Sequence, residues 1–295
     1  MPDRFSNDCK AVFWVLLATA MFTLVYASGK FAGAAVSPLQ ILFLRYLGGL
    51  ITCCTVALIS PKPLLSYVSN KPASHIVRAF FGAYGGVAII YASANMPIVD
   101  ATAIGLLSVV FMVAFGALIL GEILRRKHYV GLILCSLGAG LIMASRGAFQ
   151  AFDISYAVPA AIALLGALFI GLEAILIRTL SQAEAALSIL LQVNLFGLVL
   201  LAIPAYWTWG PVGLEVNLHF VLLGPFAITA QYFVVRGYRM ADIAVVGPID
   251  FTWLIFAALL GLVFFGEVPA AGVLIGSAII VLGGLVLSSR PRPAG

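Results

Sequence analysis

The 295-residue sequence predicts an all-α integral membrane fold of ten transmembrane helices, arranged as two inverted repeats of five. Three observations carry that expectation. Hydrophobic residues make up 63% of the chain and charged residues only 9%, against about 25% charged in a soluble domain. Sixteen Lys and Arg with eleven Asp and Glu are too few to cover a water-facing surface of this size, so the surface faces lipid. Apolar runs long enough to span a bilayer recur along the whole chain, and one nine-residue pattern ending in Gly-Glu occurs twice, about half a chain apart.

A helix needs about 20 apolar residues to cross the hydrocarbon core. Runs of that kind, broken by Pro, Gly and charge, lie near 11–30, 38–60, 74–95, 98–120, 128–145, 156–179, 186–208, 218–238, 243–265 and 270–288. They lack the period-2 alternation of barrel strands and are about twice as long. The first run is too long for a signal peptide and ends in no small-residue cleavage site, so it reads as a retained first span. The longest polar stretches between runs, 61–74 and 209–217, leave no room for a soluble domain.

Charge fixes the expected orientation. With the N-terminus cytoplasmic, thirteen of the 16 Lys and Arg fall in cytoplasmic segments, only Lys30 and Arg146 fall outside, and Arg45 lies within a span. The positive-inside rule then places both termini in the cytoplasm of a multi-pass protein of a bacterial-type inner (plasma) membrane. The formal net charge of +5 is thereby explained by orientation. Its basic residues form no stripe on a polar face, and no nucleic-acid partner is expected.

The repeat is visible in the fourth and ninth runs. Residues 114–122 read AFGALILGE and residues 259–267 read LLGLVFFGE, each leading into a Gly-rich final run. Their separation of 145 residues divides the chain into repeats at 1–148 and 149–295. Five spans per repeat is odd, so the halves cross the membrane in opposite senses. Arg125-Arg126-Lys127 follows the first motif, whereas Val268-Pro269-Ala270, without charge, follows the second. Inverted repeats of this kind place a substrate site near the midplane, at the interface of the halves.

These features resemble the ten-span EamA type of the drug/metabolite transporter superfamily, over essentially the whole chain. The resemblance rests on the paired Gly-Glu endings, on Phe43-Leu44-Arg45-Tyr46, on Tyr91-Ala92-Ser93-Ala94 leading to Ala101-Thr102-Ala103, and on Gly247-Pro248-Ile249-Asp250-Phe251-Thr252. Ser108-Val109 stands where many members carry a proline. Similarity to the YddG-like bacterial amino-acid exporters implies a non-enzymatic carrier that exports aromatic and other neutral amino acids. The alternatives are a carrier for a nucleotide-derived or drug-like metabolite, or an intramembrane enzyme.

Polar groups inside a bilayer are costly, so each asks for a reason. Thr19, Thr23, Tyr26 and Lys30 fall at i, i+4, i+7 and i+11 on one helical face, which suits a cavity-lining stripe. The competing reading has the threonines bonding between helices and Lys30 snorkelling to the interface. Arg45 either binds a substrate carboxylate or locks its helix through a permanent ion pair. Tyr84 shares a face with Tyr91 and Asn95 beside Gly82, Gly85 and Gly86, where packing explains the glycines. His75 and Arg78 read as surface residues at the cytoplasmic edge. Glu173 and Asp250 are candidates for the coupling proton; Glu173 could instead reach the interface, and Asp250 could cap a helix end. Trp253 is the expected aromatic wall and Gln231 a polar contact. Glu122 and Glu267 are expected to hold backbone N–H groups at the next helix start.

Other chemistry finds no motif. There is no Gly-x-x-x-x-Gly-Lys-Ser/Thr loop for ATP, and three scattered histidines (His75, His128, His219) form no His-Glu-x-x-His. Cys9, Cys53, Cys54 and Cys135 lack metal-ligand spacing. No cofactor or metal is expected, and the expected partners are a small-molecule substrate and the lipid bilayer.

Overall fold

The computed structural model describes residues 2–120, 126–145, 154–240 and 247–288, and these are helical with short connections; no strand occurs among them. The helices are α1 (Pro2–Ala32), α2 (Pro38–Ile59), α3 (Pro72–Asn95), α4 (Ile98–Gly105), α5 (Leu107–Leu120), α6 (Arg126–Ser145), α7 (Ile154–Ala183), α8 (Ala186–Trp207), α9 (Leu214–Met240), α10 (Thr252–Phe265) and α11 (Ala271–Ser288). Single 3₁₀ turns occur at Gly33–Ala35, Leu64–Tyr67 and Gly247–Phe251. Glu122, Arg125, Arg146, Arg290 and Arg292 lie outside the described residues.

The chain is a multi-pass helical membrane protein. Seven helical stretches are long and apolar enough to cross a bilayer, and three shorter apolar helices, Tyr129–Ile142, Ile249–Phe265 and Ala271–Gly283, occupy the fifth, ninth and tenth expected runs. Within the ninth run, Gly247–Phe251 form a 3₁₀ turn containing Pro248, which has no N–H to donate, and the chain is α-helical from Thr252. The fourth run is divided at Leu106, whose N–H bonds Thr102 O at 2.9 Å, before α5 continues. That break needs no proline.

Helix starts follow ordinary capping chemistry. Ser37 precedes Pro38 at the first turn of α2 and accepts from the Gln40 N–H at 3.1 Å. Pro72 likewise opens α3. Gly266 ends α10 in the left-handed region (φ 62°), a conformation that costs a side chain dearly and that turns Glu267 back towards the helix.

The exterior is unlike that of a soluble protein. Large apolar side chains point outward: Ile59 and Leu118 are each 80% exposed. The interior holds aliphatic residues such as Ile41, Leu42, Ile89 and Ile90 together with many Ala and Gly, and also the polar Thr19, Gln40, His75, Arg78, Asp100 and Asn194. Small residues let backbones approach, as where α6 crosses α11: a Cβ on Gly276 would lie 2.6 Å from Gly138 O. Around the centre, α1 packs on α3 and α9, α2 on α8 and α9, and α3 on α7 and α8, while α5 lies along α7 and α6 along α11.

Candidate functional site

A cavity of about 150 Å³ opens where α1, α2, α3, α5, α7 and α9 meet the 3₁₀ turn before α10. It takes the N-terminal part of α3 and the C-terminal parts of α7 and α9, so it lies towards one face of the protein. Seven of the nine residues singled out in the sequence line it: Thr19, Tyr26, Arg45, Glu173, Gln231, Asp250 and Trp253. Thr23 and Tyr84 do not. The Thr23 hydroxyl is turned to its own helix, donating to Thr19 O at 2.8 Å. Tyr84 packs on Phe80, ring centroids 4.9 Å apart, in a cluster with Phe81 and Phe169.

One end of the cavity is aromatic. Tyr26 and Trp253 meet at 5.2 Å between centroids, and Phe22 stacks behind Tyr26 at 5.8 Å. The indole edge of Trp253 rests over Gly105, where an added Cβ would lie 3.1 Å from it. Beyond this pair α1 is tied to α4 and α10. Lys30 forms an ion pair with Glu267 and donates to Met96 O at 3.3 Å, and Glu267 accepts the Ile98 N–H at 3.0 Å. Glu267 thus does hold a helix-start N–H, but that of α4, not that of the following helix α11. Lys30 is ion-paired, not snorkelling free.

The cavity is also charged. Arg78 and His75, expected at the surface, are both fully buried. His75 Nε2 is 3.0 Å from a Glu184 carboxylate that also accepts from Ser69, fastening the start of α3 to the end of α7. Arg78 reaches the cavity. Its Nη1 donates to Ile189 O at 3.3 Å and its Nε stands 3.6 Å from Glu173 Oε1, beyond hydrogen-bond range. Its Nε and Nη2 have no hydrogen-bond partner. Glu173 sits against Gly82, one turn along from Arg78, where a Cβ would come within 2.7 Å of Oε1. Gly82 therefore provides the seat of a carboxylate, a more specific role than helix packing alone.

Arg45 stacks over the Tyr46 ring at 4.1 Å and its Nε is also without a partner. Asp250 faces the Thr19 hydroxyl at 3.4 Å; Phe251, not Asp250, is the N-cap of α10 and makes no side-chain cap bond. The Gln231 carbonyl is unpartnered at the cavity wall. Arg78, Tyr46 and Tyr238 are the lining groups the sequence reading missed. For Arg78 a signal existed: Arg78, Gly82 and Gly86 fall at i, i+4 and i+8, which puts the guanidinium on the close-packed face of its helix.

Chemically, the site offers fixed guanidinium groups, two carboxyls, hydroxyls and an aromatic wall. Such a set suits binding and orienting a solute. Among the described residues no three His, Cys, Asp or Glu come together.

Comparison with known proteins fits this geometry. Residues 9–144 match the EamA-like transporter family. The pseudopaline exporter CntI of Pseudomonas aeruginosa (strain UCBPP-PA14) is 29% identical over 284 residues, covering 95% of this chain and 96% of that protein. A riboflavin transporter of Rhizobium johnstonii is 29% identical over 225 residues, covering 74% and 71%. A solved crystal structure shares the fold with a TM-score of 0.66 at 22% identity, covering 96% of this chain and 97% of that one.

Proposed function

We propose that this chain, of which residues 9–144 match the EamA-like transporter family and which is 29% identical to an exporter over 95% of its length, is an inner-membrane carrier that exports aromatic and other neutral amino acids by alternating access. The single observation that carries the reading is one cavity lined both by guanidinium groups, Arg45 and Arg78, and by the Tyr26–Trp253 aromatic pair. A zwitterion with a flat side chain matches that division. In this reading Arg45 binds the carboxylate, Tyr26 and Trp253 hold the side chain, Thr19 and Gln231 make polar contacts, and Glu173 or Asp250 carries a coupling proton. Thr23 and Tyr84 keep structural roles.

The proposed architecture is ten spans in two inverted repeats, 1–148 and 149–295, with both termini cytoplasmic. The first repeat would comprise α1, α2, α3, α4 with α5, and α6, and the second α7 to α11. The packing supports this exchange. The partners α1–α9 and α7–α3 swap under it, as do α2–α9 and α8–α3, while α2–α8 and α6–α11 map onto themselves. The cavity would then lie in the cytoplasmic half, closed towards the outside by Tyr26–Trp253 and Lys30–Glu267. Rocking of one half on the other would open that end.

A second reading, a carrier for another small metabolite, is favoured by the names of the relatives, one a pseudopaline exporter and others riboflavin transporters. Flux into proteoliposomes separates the two. Labelled phenylalanine, leucine and riboflavin are offered with and without a pH gradient, against empty liposomes. Amino-acid flux that falls in Trp253→Ala supports the first reading. Riboflavin flux alone supports the second. Flux indifferent to the gradient removes the coupling role from Glu173 and Asp250.

A further inference from the structure

We propose that Arg78 and Glu173 form an exchangeable counter-ion pair: a carboxylate on the cargo displaces Glu173 from Arg78, with Arg45 as the second cation of the site. The inference deepens the carrier reading and rests on it only for its place in a transport cycle; the binding site itself stands apart from cargo identity.

The argument begins with how Arg78 is held. Its guanidinium is fully buried, anchored at Nη1 by Ile189 O and pressed into the cavity wall. An arginine carries five N–H donors. Burying such donors without acceptors is costly, yet Nε and Nη2 have none. Among the described residues the anion paired with Arg78 is Glu173, and at 3.6 Å it makes neither a bidentate nor a close hydrogen-bonded contact. The pair is therefore near enough to balance charge and too loose to satisfy the donors. Both donors are buried, so a cargo carboxylate reaches them by taking the place of Glu173, and once there it can align with the guanidinium plane, which a side chain fixed to α7 and seated on Gly82 does not.

Arg45 strengthens the assignment. It lies in the same cavity on the neighbouring helix, with a free Nε. The ionisable groups sharing the cavity with Glu173 are Arg78 on α3, Arg45 and Tyr46 on α2, Tyr26 on α1, Tyr238 on α9 and Asp250 before α10. The stretch of α5 that lines the cavity supplies only Ser108, Val109 and Met112. Arg78 is thus the cation placed directly on Glu173, and displacement leaves that carboxylate without its counter-ion in a low-dielectric site. An uncompensated buried charge is strongly disfavoured, so one of two things follows. A cargo with an ammonium group supplies the missing cation itself. A cargo that is a plain anion brings a proton, which the freed Glu173 takes up.

The test uses benzoate, a monoanion with no ammonium, and benzamide, its neutral isostere, on the purified full-length protein in detergent micelles. Binding is read by calorimetry, and proton uptake by repeating it in buffers of different ionisation enthalpy. The expected result is that benzoate binds and benzamide does not, with a proton taken up for each benzoate bound. In Glu173→Gln benzoate still binds but the proton uptake disappears. In Arg78→Gln affinity falls roughly 10- to 100-fold, the scale of a lost charge-assisted contact. Arg78→Lys, which keeps the charge beside Glu173, retains part of it and guards against misfolding of the glutamine variant. Benzoate binding equal to that of benzamide, undiminished binding in Arg78→Gln with the protein folded, or unchanged proton uptake in Glu173→Gln would each overturn the proposal. Failure of amino-acid flux with benzoate behaviour intact would instead remove the amino-acid reading and leave this site standing.

Discussion

Gly82→Ala separates a carboxylate seat from ordinary helix packing, because the two make opposite forecasts. The nearest atoms to the new methyl are Glu173 Oε1, Cδ and Oε2, at 2.7, 2.8 and 2.9 Å, all at the far end of a flexible side chain. No backbone atom is among them. Restoring an ordinary contact of 3.4 Å needs a retreat of about 0.7 Å, which a carboxyl group makes by small torsions. Arg78 and Gly82 lie one turn apart on α3, so moving the carboxyl off this helix lengthens the 3.6 Å ion pair to about 4.3 Å. At an effective dielectric of about 20, the attraction falls from roughly 4.6 to 3.9 kcal/mol, a loss of about 0.7 kcal/mol. Alanine's better helix propensity offsets this by up to about 1 kcal/mol, so stability should hardly change. The looser pair leaves Arg78 more available, and benzoate affinity should rise about threefold. Calorimetry and a thermal melt on the same sample check both halves. Weaker benzoate binding would refute the reasoning, and so would a large drop in melting temperature, since that would mean the methyl had met something that cannot move.

Other perturbations test other parts of the molecule. Tyr26→Ala and Trp253→Ala should each lower flux mainly by raising KM in proteoliposomes, and a double-mutant cycle on stability should give a coupling of about 0.5–1.5 kcal/mol from the ring pair. Lys30→Gln and Glu267→Gln should couple by about 1 kcal/mol in the same kind of cycle. Both should make a cysteine placed near Tyr26 more reactive towards an impermeant thiol reagent added from the side of the membrane on which Lys30 and Glu267 lie. Gly276→Ala should destabilise by about 1–3 kcal/mol, read as lower melting temperature and yield, because its methyl meets the backbone carbonyl of Gly138 at 2.6 Å.

Much of the cavity was legible in sequence because polar residues inside apolar runs have few uses. Thr19 and Tyr26 lie seven residues apart, two helical turns, and that spacing alone put both on the cavity face. Asp250 and Trp253 followed from the same logic. Depth was harder to read. Arg78 lies near the start of its run, and periodicity says which face a residue occupies but not how far towards that end of the helix the cavity extends. Thr23 shares the stripe and bonds Thr19 O as Thr19 bonds Val15 O, yet it does not line the cavity, a difference that spacing does not show. The partner of Glu267 was out of reach for another reason: Ile98 is 169 residues away, and nothing local announces which helix start will arrive there. The division of the fourth run at Leu106 likewise carries no proline signal; it lies beside Gly105, where the indole of Trp253 rests, so tertiary packing prevails over local preference.

The outward placement of large apolar side chains has a consequence for how such a sequence drifts. Ile59 and Leu118 abut liquid acyl chains, which have no fixed shape and refill around whatever replaces them. Exchanging one aliphatic residue for another there alters almost nothing the fold depends on. At Gly138 and Gly276 the neighbour is backbone, and a single methyl is already too much. Substitutions on the outer skin are therefore tolerated more readily than substitutions at the small residues within, which is compatible with a solved structure that shares only 22% of its residues and still matches over 96% of this chain.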